Sequence, residues 1–355
     1  MRYIVLLWPH ANARYQSETV NLARAELALM LEKVAPKATF APETTFVPGA
    51  EIAPEAGLDM PMLAVDFPEE PSKAVLEALR RHSLLYALFE AREGLLKLVA
   101  GRRPARVGSD LPAILKYKGK TNEMFLQLLI NVALYSGDFW QDADQPLSFL
   151  DPMCGRATGL FVAANRGWNA TGADVDKNDL REAERFFKRY LEYHRFKHDV
   201  THRSRTLKKG QAAECRFDYA ADADAFRAKD TRSLSLVNLD ASQAEAALGK
   251  NAFHVVACDL PYGVRHDAQL ARGAERRGNW LETLLMRALP AWGAALKPGG
   301  TVAVSFNAQN MSPEKVRGAM EASGFEVLRG GPYDGFSHWV EQAITRDIAV
   351  CRKRA

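Results

Sequence analysis

Apolar runs of strand length alternate with helical stripes along most of this chain. Tyr3 to Leu7 is one such run. Behind it Leu22, Ala25 and Leu29 recur at helical spacing in a segment that Ser17 is placed to cap and that ends near Leu31. Met62 to Val65 predicts a second strand, and Pro71-Ser72 opens a helix carrying Val75, Leu76 and Leu79 on one side. Gly101 to Pro112 interrupts the alternation with glycine, proline and charge, the composition of a linker. A helix then runs from Thr121, as its cap, to Tyr135, with Met124, Phe125, Leu128, Leu129 and Val132 on one face.

From Leu147 the alternation becomes regular. A strand to Asp151, a helix after Thr158, a strand Ala170 to Val175 and a helix from about Asp179 come first. Strands Leu234 to Leu239 and His254 to Asp259, a helix over 280–295 and a strand Val302 to Phe306 follow. Such alternation predicts an α/β fold with a mostly parallel, doubly wound sheet and helices on both faces. Glu326-Val-Leu328 and Ala343 to Cys351 add a terminal pair of strands. The expected organisation is a smaller N-terminal α/β domain over residues 1–105 and a Rossmann-like domain over 116–355, with an insertion at about 195–232.

Composition narrows the class. Of the 355 residues 47% are apolar, enough for a sizeable core, yet no apolar run approaches the roughly 20 residues that span a bilayer. Pro9 and His10 break the first apolar run too early for a secretory segment, so a cytoplasmic chain without membrane contact is expected. Cys154, Cys215, Cys258 and Cys351 form no C-x-x-C pair, which points to reduced thiols and away from a structural zinc. The net charge is only +4, but residues 181–216 hold eleven Lys/Arg against five Asp/Glu, a local excess suited to a polyanion.

Candidate chemistry sits in two segments. In a sheet of this kind ligands bind beyond the carboxyl ends of the strands, where a turn leads into a helix whose first amides face the ligand. Asp151-Pro-Met-Cys-Gly155-Arg-Ala-Thr-Gly159 lies at such a turn, and Asp151, Pro152, Cys154, Gly155 and Thr158 are its candidate contacts. Asp174, 23 residues beyond Asp151, ends the next strand, where an acid binds a ribose diol; Asp240 follows the third, placed to accept from an adenine amino group. A dinucleotide pyrophosphate would want three glycines and no carboxylate in the loop. Asp151 favours a cationic or zwitterionic ligand, and S-adenosylmethionine, with its sulfonium and ammonium, is the expected cofactor.

The second segment is Cys258-Asp-Leu-Pro-Tyr-Gly263. An arylamine nitrogen has its lone pair delocalised into the ring, so transfer of a methyl group to it needs acceptors that hold the amine hydrogens while the methyl approaches in line. Asp259 and the carbonyl of Leu260 supply two acceptors, and Pro261 stiffens the turn. Tyr262 offers a face on which a base can stack, worth roughly 1–3 kcal/mol, and Gly263 lets the backbone come close.

These two segments, in this order, resemble the THUMP-associated RNA methylase family, which includes the tRNA guanine-N2 methyltransferases. That family pairs a D-P-x-C-G-x-G-T loop with a D-P-P-Y-G turn, and the match covers roughly residues 116–350. The resemblance implies a class I methyltransferase domain in which Asp151, Cys154, Gly155, Asp174 and Asp240 contact the cofactor while Asp259, Pro261 and Tyr262 hold the target base. It also implies an RNA partner, tRNA above all, and a ferredoxin-like N-terminal part, to which residues 1–100 are loosely similar. Ala157 stands where the family has a second glycine; at a positive φ, alanine costs about 1 kcal/mol. Leu260 replaces the first proline, a milder change because the turn uses that residue's carbonyl.

The basic segment offers Arg203, Arg205, Lys208 and Lys209 to a phosphate backbone, with Tyr193 and Phe196 as stacking platforms. Arg265, together with His266, Arg272, Arg276 and Arg277, suggests a basic lid after the turn. His194, His198 and His202 recur every four residues, but with no acidic or cysteine partner fixed nearby no metal is expected. The same turn would serve adenine N6 in DNA or RNA, or a glutamine amide of a protein. A non-catalytic scaffold that binds the cofactor or RNA is the rival of another class.

Overall fold

The computed structural model describes residues 1–9, 13–41, 61–207, 210–262 and 280–354. The chain divides into two compact units, Met1–Pro104 with Gly330–Gln342, and Ala105–Arg329 with Ala343–Ala355.

The first unit contains β1 (Arg2–Leu7), α1 (Ala13–Val34), β2 (Thr39–Phe40), β3 (Met62–Asp66), α2 (Lys73–Leu79), β4 (Leu85–Arg92) and β5 (Leu95–Gly101). Its antiparallel sheet has the order β2-β3-β1-β4-β5, so the succession β1α1β2β3α2β4 is the ferredoxin-like split βαβ arrangement with one strand added at the edge. Ser72 caps α2, its hydroxyl accepting from the Val75 amide at 3.3 Å. Ser17, by contrast, lies inside α1, which begins at Ala13. Helical periodicity continues past a hydroxyl that only competes weakly for a local backbone bond. A buried polar cluster ties α1 to the turn before β4: Glu26 accepts from the Ser83 amide at 2.9 Å and from its hydroxyl, and His82 Nε2 lies 3.0 Å from the Ala23 carbonyl oxygen. Satisfying those groups reciprocally removes the desolvation cost they would otherwise carry.

The second unit runs through α3 (Leu111–Ile114), α4 (Glu123–Ser136), β6 (Ser148–Asp151), α5 (Thr158–Asn165), β7 (Asn169–Asp174) and α6 (Lys177–Tyr193). The hairpin β8 (Lys197–Thr206) and β9 (Gln211–Ala220), then α7 (Ala223–Arg227), β10 (Arg232–Asn238), α8 (Ala244–Leu248) and β11 (Phe253–Asp259) come next. The described part resumes with α9 (Trp280–Ala295), β12 (Leu296–Asn307), α10 (Pro313–Ala322) and β13 (Glu326–Leu328). Gly330–Gln342, which includes β14 (His338–Glu341), belongs to the first unit, where it lies against α1. β15 (Ile344–Arg352) then completes the sheet.

The strand order is β13-β15-β12-β11-β6-β7-β10-β9-β8. From β12 to β10 the neighbours are parallel, whereas β15 runs antiparallel to β12 and β13, and β9 to β10 and β8. After β6 the chain winds to β7 and β10 on one side, then returns to β11 and β12 on the other. This is a doubly wound, Rossmann-like α/β sheet whose topological switch point falls between β6 and β11. β11 and β12 are buried on both faces, between helices, which is why they read as continuous apolar runs. Their core includes Val256, Val304, Leu289 and Trp292.

The segment expected as an insertion extends the sheet by two antiparallel strands. β8 starts at the edge where α6 ends and finishes level with the carboxyl end of β10, because Arg203 pairs with Glu214 and Glu214 with Val237. The N-terminus of α4 differs from expectation. Asn122 is its cap, accepting from Met124 N at 2.8 Å and Phe125 N at 3.3 Å, and Thr121 is left for another partner. Removing that cap by Asn122→Ala should lower stability by about 1 kcal/mol, whereas Ser17→Ala should leave it within about 0.5 kcal/mol. Chemical denaturation of the two variants checks this, and equal losses would contradict the assignment.

Candidate active site

Three acids end neighbouring parallel strands: Asp259 on β11, Asp151 on β6 and Asp174 on β7. The loop after β6 is held from below and from the side. Cys154 N donates to the Ala173 carbonyl at 3.0 Å and Gly155 N to Asp174 Oδ2 at 2.8 Å, so Asp174 positions the loop that it faces. Gly172 is required beneath the loop, since a Cβ there would lie 2.6 Å from both Cys154 Sγ and Leu160 Cδ1. Gly159 is required above Asp151, whose Oδ2 would stand 2.9 Å from an added Cβ. Pro152, Cys154 and Thr158 are buried, and Thr158 Oγ1 lies 3.3 Å from the Tyr117 hydroxyl. Ala157, at φ 68°, precedes α5 and offers it no capping oxygen. The positive φ that would favour glycine is therefore real.

Asp151 is buried and accepts from Met153 N at 3.1 Å, with no cation partner among the described residues. Burial pushes its carboxyl up to about 8; the Met153 amide opposes the rise, and Asp174 and Asp259 add to it by repulsion. Asp174 also accepts from Asp176 N at 2.9 Å. Asp240 caps the short turn after β10, Oδ1 accepting from Ser242 N at 2.9 Å and Ser242 Oγ at 2.6 Å. A buried carboxyl with no cation among the described residues, beside two further acids, suits a cationic ligand better than a phosphate.

The turn after β11 is knitted to three other elements. Asp259 Oδ2 accepts from Thr121 Oγ1 at 2.5 Å, and Oδ1 accepts from the Tyr262 hydroxyl. That hydroxyl lies 3.1 Å from Ser305 Oγ on β12 and accepts from Arg346 Nε on β15 at 2.7 Å. The Arg346 guanidinium stands 3.8 Å from Asp259 and 4.2 Å from the centre of the Phe125 ring, and it also lies over Tyr262 at 5.1 Å. Burial, with Asp259 adding to it, pushes the Tyr262 hydroxyl well above its ordinary value. Leu260 N donates to Ser305 O at 2.8 Å and the Leu260 side chain enters the core, so half-buried Pro261 and Tyr262 continue from a fixed base.

The residues singled out in the sequence thus fall into separate groups. Asp151, Pro152, Cys154, Gly155, Thr158 and Asp174 form one cradle, and Asp259 to Tyr262 end the strand next to it. Thr121, Phe125, Ser305 and Arg346 join the second group and were not expected in it. Thr121 carried a signal, a hydroxyl just ahead of a helix, that pointed to capping instead. Arg346 carried none, being one of three charged residues in β15, beside Asp347.

Of the candidate basic residues, Arg203 and Arg205 are among the described ones. Arg205 is committed to Glu214 through two bonds of 2.8 and 2.9 Å and to the Ala247 carbonyl at 2.8 Å, so it is a correction to the expected phosphate contacts. Arg203 is exposed near the hairpin tip. Tyr193 is 83% exposed, but it and Phe196 lie at the end of α6 and the start of β8, the sheet edge opposite the strand-end acids. They cannot share a surface with those acids. Lys208, Lys209, Gly263, Arg265, His266, Arg272, Arg276 and Arg277 lie outside the described residues.

No protein-family model and no curated protein matches the chain. Among solved structures, TrmN from Thermus thermophilus is similar over 99% of this chain and 100% of its own, at 14% identity and a TM-score of 0.43. A methyltransferase from Pyrococcus furiosus is similar over 68% of this chain and 89% of its own, at 14% identity and 0.39. The cyclase SpnF is similar over 68% and 85%, at 15% identity and 0.38. One α/β architecture hosts different chemistries, and the functional reading rests on the residues above.

Two outcomes follow from the loop. Ala157→Gly should stabilise the protein by about 1 kcal/mol by relieving the left-handed alanine, read as a rise of about 2–4 °C in Tm; a fall would contradict the strain. The Asp151 carboxyl is raised from 3.8 to about 8, so the folded state keeps a proton that the unfolded chain has lost between these values. Stability from this group is therefore full below about pH 4 and is lost as pH rises toward 8. The unfolding free energy of wild type relative to Asp151→Asn should fall between pH 5 and 8, by an amount on the order of a few kcal/mol at most. A difference independent of pH would show that Asp151 is ionised throughout.

Proposed function

We propose that this chain is an S-adenosylmethionine-dependent methyltransferase that methylates the exocyclic amine of a base in RNA, with guanine N2 in tRNA as its target. The observation that carries this reading is the adjacency of Asp151 and Asp259. A cradle suited to a cation and a turn suited to a planar amine end neighbouring parallel strands on the two sides of the switch point. When bound, S-adenosylmethionine supplies an electrophilic methyl group on a sulfonium.

The chain's own residues do the rest. Asp151 faces positive charge, Asp174 at the end of β7 is the acceptor for ribose hydroxyls, and Asp240 is the acceptor for an adenine amino group. The bond from Thr121 and the ion pair with Arg346 fix the orientation of the Asp259 carboxylate. An incoming amine takes the place of the Tyr262 hydroxyl at Oδ1, and that hydroxyl has Ser305 Oγ at 3.1 Å as an alternative partner. Holding the amine hydrogens aims the nitrogen along the line of transfer, and Asp259 accepts the hydrogen that the nitrogen loses as the N–C bond forms. Arg203 lies four strand spacings from β6, about 19 Å, on the same edge of the sheet, where it supports a nucleic acid running from the turn to the hairpin tip.

Mass spectrometry of nucleosides from the RNA and DNA of a deletion strain should show one methylated guanine nucleoside missing from tRNA and nothing missing from DNA. Loss of a methylated adenine, or no loss at all, would overturn the assignment of base or of substrate. In the purified protein Asp259→Asn should slow methyl transfer by about 100-fold or more, while affinity for the demethylated cofactor stays within about threefold. Retained turnover would reduce Asp259 to a structural strand end.

A further inference from the structure

Among the described residues, one cluster of metal-ligating side chains lies outside the strand-end crevice. Cys215 on β9 and His202 on β8 are register partners across the edge hairpin. Alternation along β9 puts Cys215, Phe217 and Tyr219 on the face covered by α6, and Phe187 of α6 packs on Phe217 and Tyr219 with ring centres 5.1 and 5.4 Å apart. Glu184, three residues before Phe187, therefore overhangs the same face one turn earlier. Its Oε1 lies 2.9 Å from His202 Nε2, and the three ligand atoms of Glu184, His202 and Cys215 all fall within 4.8 Å of one another.

We infer that Glu184, His202 and Cys215 bind one zinc-class divalent cation and that the cation fastens the edge hairpin to α6. Bonds of about 2.0–2.3 Å at tetrahedral angles place ligand atoms about 3.3–3.8 Å apart, longer than the 2.9 Å between Glu184 and His202 and inside the 4.8 Å that bounds all three atoms. One sulfur, one imidazole nitrogen and one carboxylate oxygen suit a borderline-soft ion and not magnesium or calcium, which take oxygen donors. The ligands come from three elements whose relative positions the packing of α6 on β9 and the pairing of β8 with β9 already fix, so no chain segment has to fold to assemble them.

The fourth position belongs to water. Cys215 closes the inner side of the site, while the His202 side chain is 65% exposed and opens it to solvent. On binding, the cation takes the Cys215 sulfur as thiolate and one proton leaves to solvent. The imidazole binds through Nε2 with its hydrogen moved to Nδ1, and the Glu184 oxygen exchanges its hydrogen bond for the metal. The four-residue histidine spacing seen in the sequence does not produce the site. That segment is a strand, and His198 is engaged with the Phe196 carbonyl at 2.9 Å. The partners that sequence spacing could not supply come from α6 and β9.

Titration of the reduced full-length protein with cadmium alone tests this, because a thiolate–cadmium bond adds an ultraviolet charge-transfer band. One equivalent should develop the band of a single thiolate, zinc should displace it, and an excess of magnesium should not. Cys215→Ser should abolish the band, and His202→Ala and Glu184→Gln should each weaken cadmium binding about tenfold or more, while His198→Ala leaves it unchanged. No band at one equivalent would overturn the inference. So would a band of undiminished affinity in His202→Ala, which would mean a thiol acting alone. The His202 and Glu184 variants sit on the open side of the site and decide the matter even if Cys215→Ser fails to fold.

Discussion

Carboxylates at the carboxyl ends of adjacent parallel strands, one buried and two half-buried, are the constraint around which the second unit is organised. Like charges so placed repel one another and resist leaving water, and each must be answered or protonated. Asp174 is answered by the Gly155 and Asp176 amides, and Asp259 by Thr121, Tyr262 and Arg346. Asp151 has a single amide and sits between the other two strand ends, which is why burial carries its carboxyl up to about 8. Among the described residues no cation answers it, and the proposed function gives this carboxyl the positive charge of a bound ligand to face.

The second constraint is mutual occupation. The Asp259 turn is satisfied within the chain, with the Tyr262 hydroxyl on one carboxylate oxygen and Arg346 held between Phe125 and Tyr262. The Arg346 guanidinium donates to the Tyr262 hydroxyl and stands 3.8 Å from the Asp259 carboxylate, so the turn's negative charge is balanced within the chain. Any amine that enters does so in exchange for these internal partners, and Ser305 gives the displaced hydroxyl somewhere to go. Internal satisfaction keeps the buried acid from being a liability before substrate arrives.

The parallel core was legible in the sequence because strands buried on both faces must be apolar throughout, as in β11 and β12. The start of α4 was misread by one residue for a physical reason. Thr121 and Asn122 are both capping types, and the threonine is drawn off by Asp259, a partner 138 positions away. β8 was not legible as a strand, since its residues are mostly exposed or half-buried and its order comes from pairing with β9. Charge composition misled in the same region: Arg205 counts toward a basic segment in the sequence but spends its charge on buried Glu214. The return of Gly330–Gln342 to the first unit has no signature in local pattern, because it depends on packing against α1.

The central claim, that Asp151 waits for a cation, is tested most directly by counting protons. Calorimetric titration with S-adenosylmethionine near pH 7, in two buffers of different ionisation enthalpy, gives the protons released on binding. A cation that brings the carboxyl down from about 8 to its ordinary range should make wild type release about one proton more than Asp151→Asn. Binding with the same proton count in both proteins, or no binding by the folded wild type, would contradict the account.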